Sequence, residues 1–259
     1  MNTIPMTDEQ VYLFDLQGFI VLKDVVPAEM REAALEDLDR FEKMDPSDYP
    51  ATVLQHGERT EARFYISNIL EAGPAFVPFM DIPVVLGVIA RVTGSRYRLN
   101  HAYTIYAWKD GYTQLHMANT PLRGNCQYRC ENGMMFSALT KAVFPLTDSG
   151  PEDGCFACIP GSHKSNFPRP WGDHPDENPS LQPVIADPGD AIIFTEALTH
   201  GSLVNRSGRP RQTLFYCYSV NWMPCWSSEH FFSDNVGDGL NDEQKKLVAL
   251  RSGSGRDYI

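Results

Sequence analysis

The chain has 259 residues, 42% of them hydrophobic and 21% charged, which is enough apolar material for a sizeable core and too little charge for a disordered chain. Its 33 acidic and 22 basic residues leave a net charge of -11, which opposes nucleic-acid binding, because a phosphate-tracking surface needs clustered Lys and Arg. The longest apolar runs, such as 19–22 and 191–194, fall far short of the roughly 20 residues that span a bilayer, and residues 1–9 show no secretory signal. A cytoplasmic protein without a membrane partner is expected. All-β barrels and sandwiches commonly reach about 250 residues as one unit, so residues 1–259 are expected to form a single domain.

In chain order, Thr7-Asp-Glu-Gln10 has the spacing of a capping box and opens a helix through Leu16 that Gly18 ends. A strand is expected from Phe19 to Val26. Pro27 then starts a helix on which Met30, Ala33, Leu35, Leu38 and Phe41 recur at helical spacing to about Lys43. A third helix, Val84 to Val92, is closed by Gly94. Strands are expected at Tyr97–Trp108, Met134–Leu146, Cys155–Ile159, Gln182–Ile185, Ala191–Thr195 and Gln212–Val220, because apolar segments there are short and broken by Gly, Pro, Asp and Asn. Phe167–Pro183 reads as a long surface loop of the kind that carries lids or substrate contacts. A charged helix, Asp242 to Arg251, precedes a polar tail. The pattern predicts a mainly β fold, an antiparallel sandwich or barrel with the N-terminal helices covering one sheet.

Cys126 and Cys130 are four apart and Cys155 and Cys158 three apart, which invites a zinc site. Residues three apart on a strand point to opposite faces, so Cys155 and Cys158 do not share an ion, and the six cysteines read as reduced core thiols.

Four segments stand in order: Leu115-His-Met-Ala118; Pro151-Glu-Asp-Gly-Cys-Phe-Ala-Cys-Ile-Pro-Gly-Ser-His-Lys164; Pro188-Gly-Asp-Ala-Ile-Ile-Phe194; and His200-Gly-Ser202 followed by Arg211. This arrangement resembles the phytanoyl-CoA dioxygenase family of iron(II)/2-oxoglutarate oxygenases, whose fold is a double-stranded β-helix, or jelly roll. The resemblance runs from the N-terminal helix to about Trp226. It implies Fe(II), 2-oxoglutarate and O2 as cofactors and an oxidoreductase acting on an unactivated C–H bond of a small molecule. It makes His116 and His200 the metal ligands, 84 positions apart in the chain. Arg211 then holds the far carboxylate of 2-oxoglutarate, for which a guanidinium is suited by its two parallel donors and permanent charge. Ser202 supports the same carboxylate, Asn119 is counted with the co-substrate contacts, and Arg209 is the rival clamp. His163, in the Pro-Gly-Ser-His turn, reads as structural.

The family pattern is His-X-Asp, and here the third position is Ala118. A methyl group does not coordinate iron, so the ligand set loses its anionic member. The same replacement occurs in the aliphatic halogenases of the superfamily, where chloride takes the vacated position and the substrate radical takes chlorine instead of hydroxyl. Chloride is therefore a candidate cofactor, with halogenation leaned to slightly over hydroxylation. The alternatives are water at the vacant position or a carboxylate from elsewhere, with Glu196, Glu131 and Asp153 as nominees. Glu196 lies four residues before His200, an even offset that aims both inward if both lie on one strand; as a neighbour it would instead hydrogen-bond a ligand imidazole. A jelly roll without iron chemistry, kept as a binding module, is the contrasting class. For substrate contact, Tyr103, Arg123, Glu196 and Tyr216 are the candidates, within a wider set of Asn100, Tyr106, Arg129, Tyr218, Trp222 and Trp226.

Overall fold

The computed structural model describes residues 2–50, 52–56, 59–94, 96–117, 126–225 and 234–248. Helix α1 (Asp8–Gln17) is opened by the expected capping box: Thr7 Oγ1 accepts from Gln10 N and Gln10 Oε1 accepts from Thr7 N. Gly18 closes it in the left-handed region at φ 85°, a conformation glycine adopts without penalty. Strand β1 (Phe19–Leu22) ends four residues sooner than expected, because Asp24 turns the chain and Val25 and Val26 both donate to the Gly189 carbonyl. Helix α2 (Ala28–Lys43) and helix α3 (Pro83–Thr93) follow the predicted bounds closely, with Pro27 one position ahead of the first turn. Between them lie strands β2 (Leu54–Gln55) and β3 (Arg63–Ser67), which were not expected, and a 3-10 segment at Pro74–Asp81.

Strand β4 (Tyr97–Ala107) matches expectation, whereas the single strand expected over 134–146 divides. Its first part, β6 (Met134–Ser137), pairs with β5 (Tyr128–Glu131) in a hairpin, and its second, β7 (Leu139–Pro145), joins the main sheet. The remaining elements are β8 (Phe156–Cys158), β9 (Gln182–Pro183), β10 (Ala191–Thr195), β11 (His200–Ser202), β12 (Arg211–Val220), α4 (Asp234–Gly239) and α5 (Asp242–Val248). Residues 249–251 of the last predicted helix lie outside the described residues.

A seven-stranded antiparallel sheet runs β1-β10-β7-β12-β4-β3-β2 and faces a three-stranded sheet, β11-β8-β9, which is the jelly-roll arrangement. The main sheet has two apolar faces with different tasks. Its outer face presents Ala142, Phe144, Ile193, Leu214, Tyr216 and Tyr218 to the helical layer, where α2 contributes Ala34, Leu38 and Phe41 at i, i+4, i+7 spacing. Three tyrosine hydroxyls stitch the layers by donating to helical-layer carbonyls: Tyr106 to Leu38, Tyr216 to Phe76 and Tyr218 to Met80. The inner face presents Val143, Ile192 and Phe194 to Phe156 and Cys158 of the small sheet. A bulge at Asn100, where β12 shifts register between Cys217 and Tyr218, puts Leu99 and Ala102 on the same face despite their odd spacing. Among the described residues no single helix is long and apolar enough to cross a membrane.

One further ladder positions the site. Residues 111–116 run antiparallel beside 200–205, with Asn205 N–H donating to Gly111 O, Ser202 N–H to Thr113 O, and His116 and His200 exchanging both backbone bonds at 2.9 Å. The approach is so close that a Cβ on Gly201 would lie 2.6 Å from Thr113 O and 3.0 Å from Gln114 O. The thiols of Cys155 and Cys158 are buried, and burial pushes them up to about 11 and about 12. Cys126 and Cys217 are buried as well, but Cys130 is exposed and Cys225 half-buried, so the core-thiol expectation holds for four of the six.

Gly201→Ala should cost about 2 kcal/mol through backbone displacement, and so lower Tm by roughly 4–8 °C in a thermal melt; an unchanged Tm would mean the two segments are not held this closely. His163 is fully buried, with Nε2 3.1 Å from Asp15 O, and burial is the main cause that lowers it to about 4. Its neutral form is the one the fold accepts, so stability is full above the unfolded value near pH 6.5 and falls as pH drops towards 4. That loss is on the order of 3 kcal/mol, and His163→Gln should flatten this part of a urea-unfolding pH profile.

Candidate metal centre

The reciprocal bonds between the peptide groups of His116 and His200 make these residues a directly opposed antiparallel pair, and opposed residues share a face. Their ring centroids are 4.2 Å apart. Each ring is oriented through Nδ1, which lies 2.8 Å from a backbone carbonyl two residues earlier, Gln114 for His116 and Leu198 for His200. A carbonyl only accepts, so both Nδ1 atoms carry the proton and both Nε2 atoms keep a lone pair, the tautomer a metal ligand needs. His200 is buried and His116 faces the opening. Burial lowers the pKa of both rings, that of His200 far below its ordinary value, with the His116 charge adding to the effect.

Glu196 comes to the same point from the turn between β10 and β11. Its donor oxygen and the imidazole nitrogens of His116 and His200 all lie within 4.8 Å of one another. This is the one such cluster of histidine, cysteine and carboxylate donors among the described residues. Two neutral imidazoles and a carboxylate with room on one side suit a first-row divalent ion such as Fe(II). Glu196 and His200 are not on one strand, so the even offset between them does not set their directions. Thr195 ends a strand of the main sheet, Leu198 N–H turns back to the Thr195 carbonyl, and His200 begins a strand of the small one. The turn, held by Glu196 N–H donating to Leu139 O, carries the carboxylate inward.

The carboxylate has a second neighbour that sequence reasoning missed. Lys141, buried on β7, places Nζ 2.8 Å from Glu196 Oε2 and 3.3 Å from the Tyr103 hydroxyl. Burial opposes the ammonium charge, but Glu196 and then Tyr103 outweigh it and hold its pKa well above the ordinary lysine value. Its signal was a lone cation in the apolar run Leu139–Leu146.

Arg211 starts β12 on the inner face, fully enclosed. One guanidinium nitrogen donates to Gly154 O, another lies 3.5 Å from Ser202 Oγ, and Nε is buried without a partner. No acidic side chain pairs with it among the described residues, and burial is the main cause that pushes its pKa down to about 10. A buried cation in this condition fits an anion, and the cavity before it is lined by His116, His200, Ser202, Thr213, Phe215 and Tyr103. Ser202 Oγ also accepts from Thr113 N–H, so it is fixed by the ladder that carries His116.

Other candidates fall elsewhere. Arg209 is exposed and ion-paired to Asp153 at 2.7 Å, which removes it as the clamp and Asp153 as a ligand nominee. Glu131 is exposed on the β5–β6 hairpin, outside the cluster. Tyr216 is a core residue on the outer face, not a substrate contact, since the strand alternation turns it towards Phe79 and Phe144. Tyr106 and Tyr218 share that face, Asn100 donates to Ser219 and Pro224, and the Arg129 guanidinium lies over Phe136. Trp222 is more than half exposed. Ala118, Asn119, Arg123 and Trp226 lie outside the described residues. The 167–183 loop reaches the site's flank, where Leu115 N–H donates to Asp173 O.

The phytanoyl-CoA dioxygenase (PhyH) family matches residues 14–213. Dioxygenase lolE1 of Epichloe uncinata is 32% identical over 75 residues, 26% of this chain and 28% of that protein. Dioxygenase trt7 of Aspergillus terreus is 31% identical over 113 residues, 41% of this chain and 36% of that protein. The match thus spans about a third of each curated relative. Among solved structures, HygX from Streptomyces hygroscopicus with nickel and 2-oxoglutarate bound superposes with a TM-score of 0.74 at 24% identity, covering 88% of this chain and 93% of HygX. The non-heme alpha-ketoglutarate-dependent epimerase SnoN from nogalamycin biosynthesis gives a TM-score of 0.63 at 15% identity, covering 85% and 87%. These likenesses establish the jelly-roll fold, and with the family match over most of its length, this chain belongs to the phytanoyl-CoA dioxygenase family.

Proposed function

We propose that the protein is an iron(II)- and 2-oxoglutarate-dependent oxygenase that acts on an unactivated C–H bond of a small molecule. In this reading His116, Glu196 and His200 hold the metal, and Arg211 with Ser202 holds the far carboxylate of 2-oxoglutarate. The observation that carries the reading is the convergence of His116 with Glu196 and His200, from a distant part of the chain, beside a buried guanidinium that has no acidic partner among the described residues. The metal–2-oxoglutarate chemistry named for HygX and SnoN supports it, as does the dioxygenase family match. Hygromycin B bound in HygX supports a small-molecule substrate.

Bound iron would supply oxygen activation at the expense of 2-oxoglutarate. The protein's own residues do the rest. The carbonyls of Gln114 and Leu198 hold both imidazoles in one tautomer, so no proton has to leave Nε2 before a metal binds. Arg211 and Ser202 fix one end of a dicarboxylate, which orients the other end towards the histidines. Val143, Phe156, Ile192 and Phe215 wall the cavity with apolar surface and keep water from the reacting centre.

The anionic ligand that the Ala118 replacement removes is supplied here by Glu196, and a protein carboxylate in that role disfavours an added halide. Oxygenation is therefore preferred to halogenation. One observation favours the second reading: Lys141 lies on Glu196, and a carboxylate retained by that ammonium would leave the position to chloride or water.

Anaerobic addition of Fe(II) and 2-oxoglutarate separates the two. The wild type should develop the visible charge-transfer band of the chelate with the same intensity at zero and high chloride. Glu196→Ala should weaken iron binding at least tenfold and make the band chloride-dependent, and His200→Ala should abolish it. A chloride-dependent wild-type band that survives Glu196→Ala would favour the halogenase, and no band at all would leave a binding module.

A further inference from the structure

The inner face carries a second guanidinium that the ligand and co-substrate assignments leave unused. Across the main sheet, Arg63 on β3 and Arg211 on β12 both pair with Ala107 of β4, so all three side chains lie in one row on one face. With strands about 4.8 Å apart, the two arginine backbones stand about 10 Å from each other. Between them is only the methyl group of Ala107, so nothing large separates the cations.

Arg63 is half-buried, and its Nε is enclosed without a hydrogen-bond partner. No acidic side chain pairs with it among the described residues, although the protein as a whole carries a net charge of -11. An enclosed guanidinium N–H without a partner is a donor that a bound anion would complete.

Beside it runs a strip of touching rings on the same face. Phe215 stacks on Tyr103, Tyr103 meets Tyr65 edge-on, and Tyr65 stacks on His56, each with ring centroids 4.7 Å apart. Phe215 and Tyr103 line the cavity that holds the histidines, while Tyr65 and His56 are half-buried. Tyr65 directly follows the Arg63 row, two residues along the same strand.

We infer that Arg63 is the recognition point for an anionic group on the primary substrate, whose planar or apolar body lies along the Tyr65–Tyr103–Phe215 strip. The inference rests on the oxygenase reading, since it takes the cavity before His116 as the place of reaction. It assigns the two guanidiniums separate carboxylates, Arg211 that of 2-oxoglutarate and Arg63 that of the substrate. A neutral substrate would leave Arg63 uncompensated and is disfavoured.

The test uses the full chain loaded with Mn(II) and 2-oxoglutarate, which occupies Arg211, and titrates 3-phenylpropionate and its neutral amide by calorimetry. The wild type should bind the carboxylate at least tenfold more tightly than the amide. Arg63→Gln should bring the two within twofold of each other while keeping the 2-oxoglutarate affinity within threefold of wild type, and Arg63→Lys should retain part of the preference if the fold is intact by thermal melt. Equal binding, or none, to the wild type overturns the inference. So does a tenfold loss of 2-oxoglutarate affinity in Arg63→Gln, which would give this cation to the co-substrate. A wild type that takes up neither Mn(II) nor 2-oxoglutarate would instead overturn the oxygenase reading itself.

Discussion

Two backbone hydrogen bonds, exchanged between the peptide groups of His116 and His200, bring residues 84 positions apart onto one face of one ladder. Much of what surrounds the site is arranged to keep that ladder tight. Gly201 lets the backbone of residues 113–114 approach where a side chain would stand. Ser202, the next residue, spends its hydroxyl on Thr113 N–H and so joins the histidine pair to the arginine end of the cavity. A small sheet of three strands is a weak scaffold by itself, but it closes over the inner face of a seven-stranded sheet whose outer face is tied to the helices through Tyr106, Tyr216 and Tyr218. Precision at the site is thus inherited from layers that never touch it.

Electrostatics divide the buried charges into two kinds. Lys141 and Glu196 face one another at 2.8 Å, so the buried ammonium has an acidic partner inside an apolar enclosure. Arg211, which lines the cavity, and Arg63, on the same row of the sheet, have no such partner among the described residues, and each has an Nε that donates to nothing. In a protein with an excess of acids, two cations left without acidic partners on one row of the sheet mark where anions are to be received. In the proposed reading the Glu196 carboxylate replaces what Ala118 does not offer, with the Lys141 ammonium beside it.

Helix starts and stops were legible because they are local. The Thr7–Gln10 capping box, the glycines at 18 and 94 and the apolar spacing on α2 act over a few residues, and each appears where the pattern placed it. Strands β2, β3 and β11 were not legible, being short and defined by partners far along the chain. The face that Tyr216 occupies was equally hidden, since alternation along β12 is clear from sequence but which side is the core depends on where the helices pack. Histidines 116 and 200, Ser202 and Arg211 could be named from a family-like order of residues, and the structure brings them around one cavity. Glu196 could be nominated but not chosen over Glu131 and Asp153, because its approach depends on a turn between two sheets. Lys141 and Arg63 were missed for the same reason: a cation on an apolar strand gains meaning only when its cross-strand neighbours are known.

The central claim is that a glutamate from the turn before His200 completes the set that His116 begins. A crystal structure of the protein loaded anaerobically with Fe(II) and 2-oxoglutarate, with the metal located by anomalous scattering, tests it most directly. A Glu196 oxygen should lie at the roughly 2.0–2.2 Å of a metal–carboxylate bond, together with Nε2 of both histidines. Glu196 remaining on Lys141, with water or chloride at the third position, would contradict the claim.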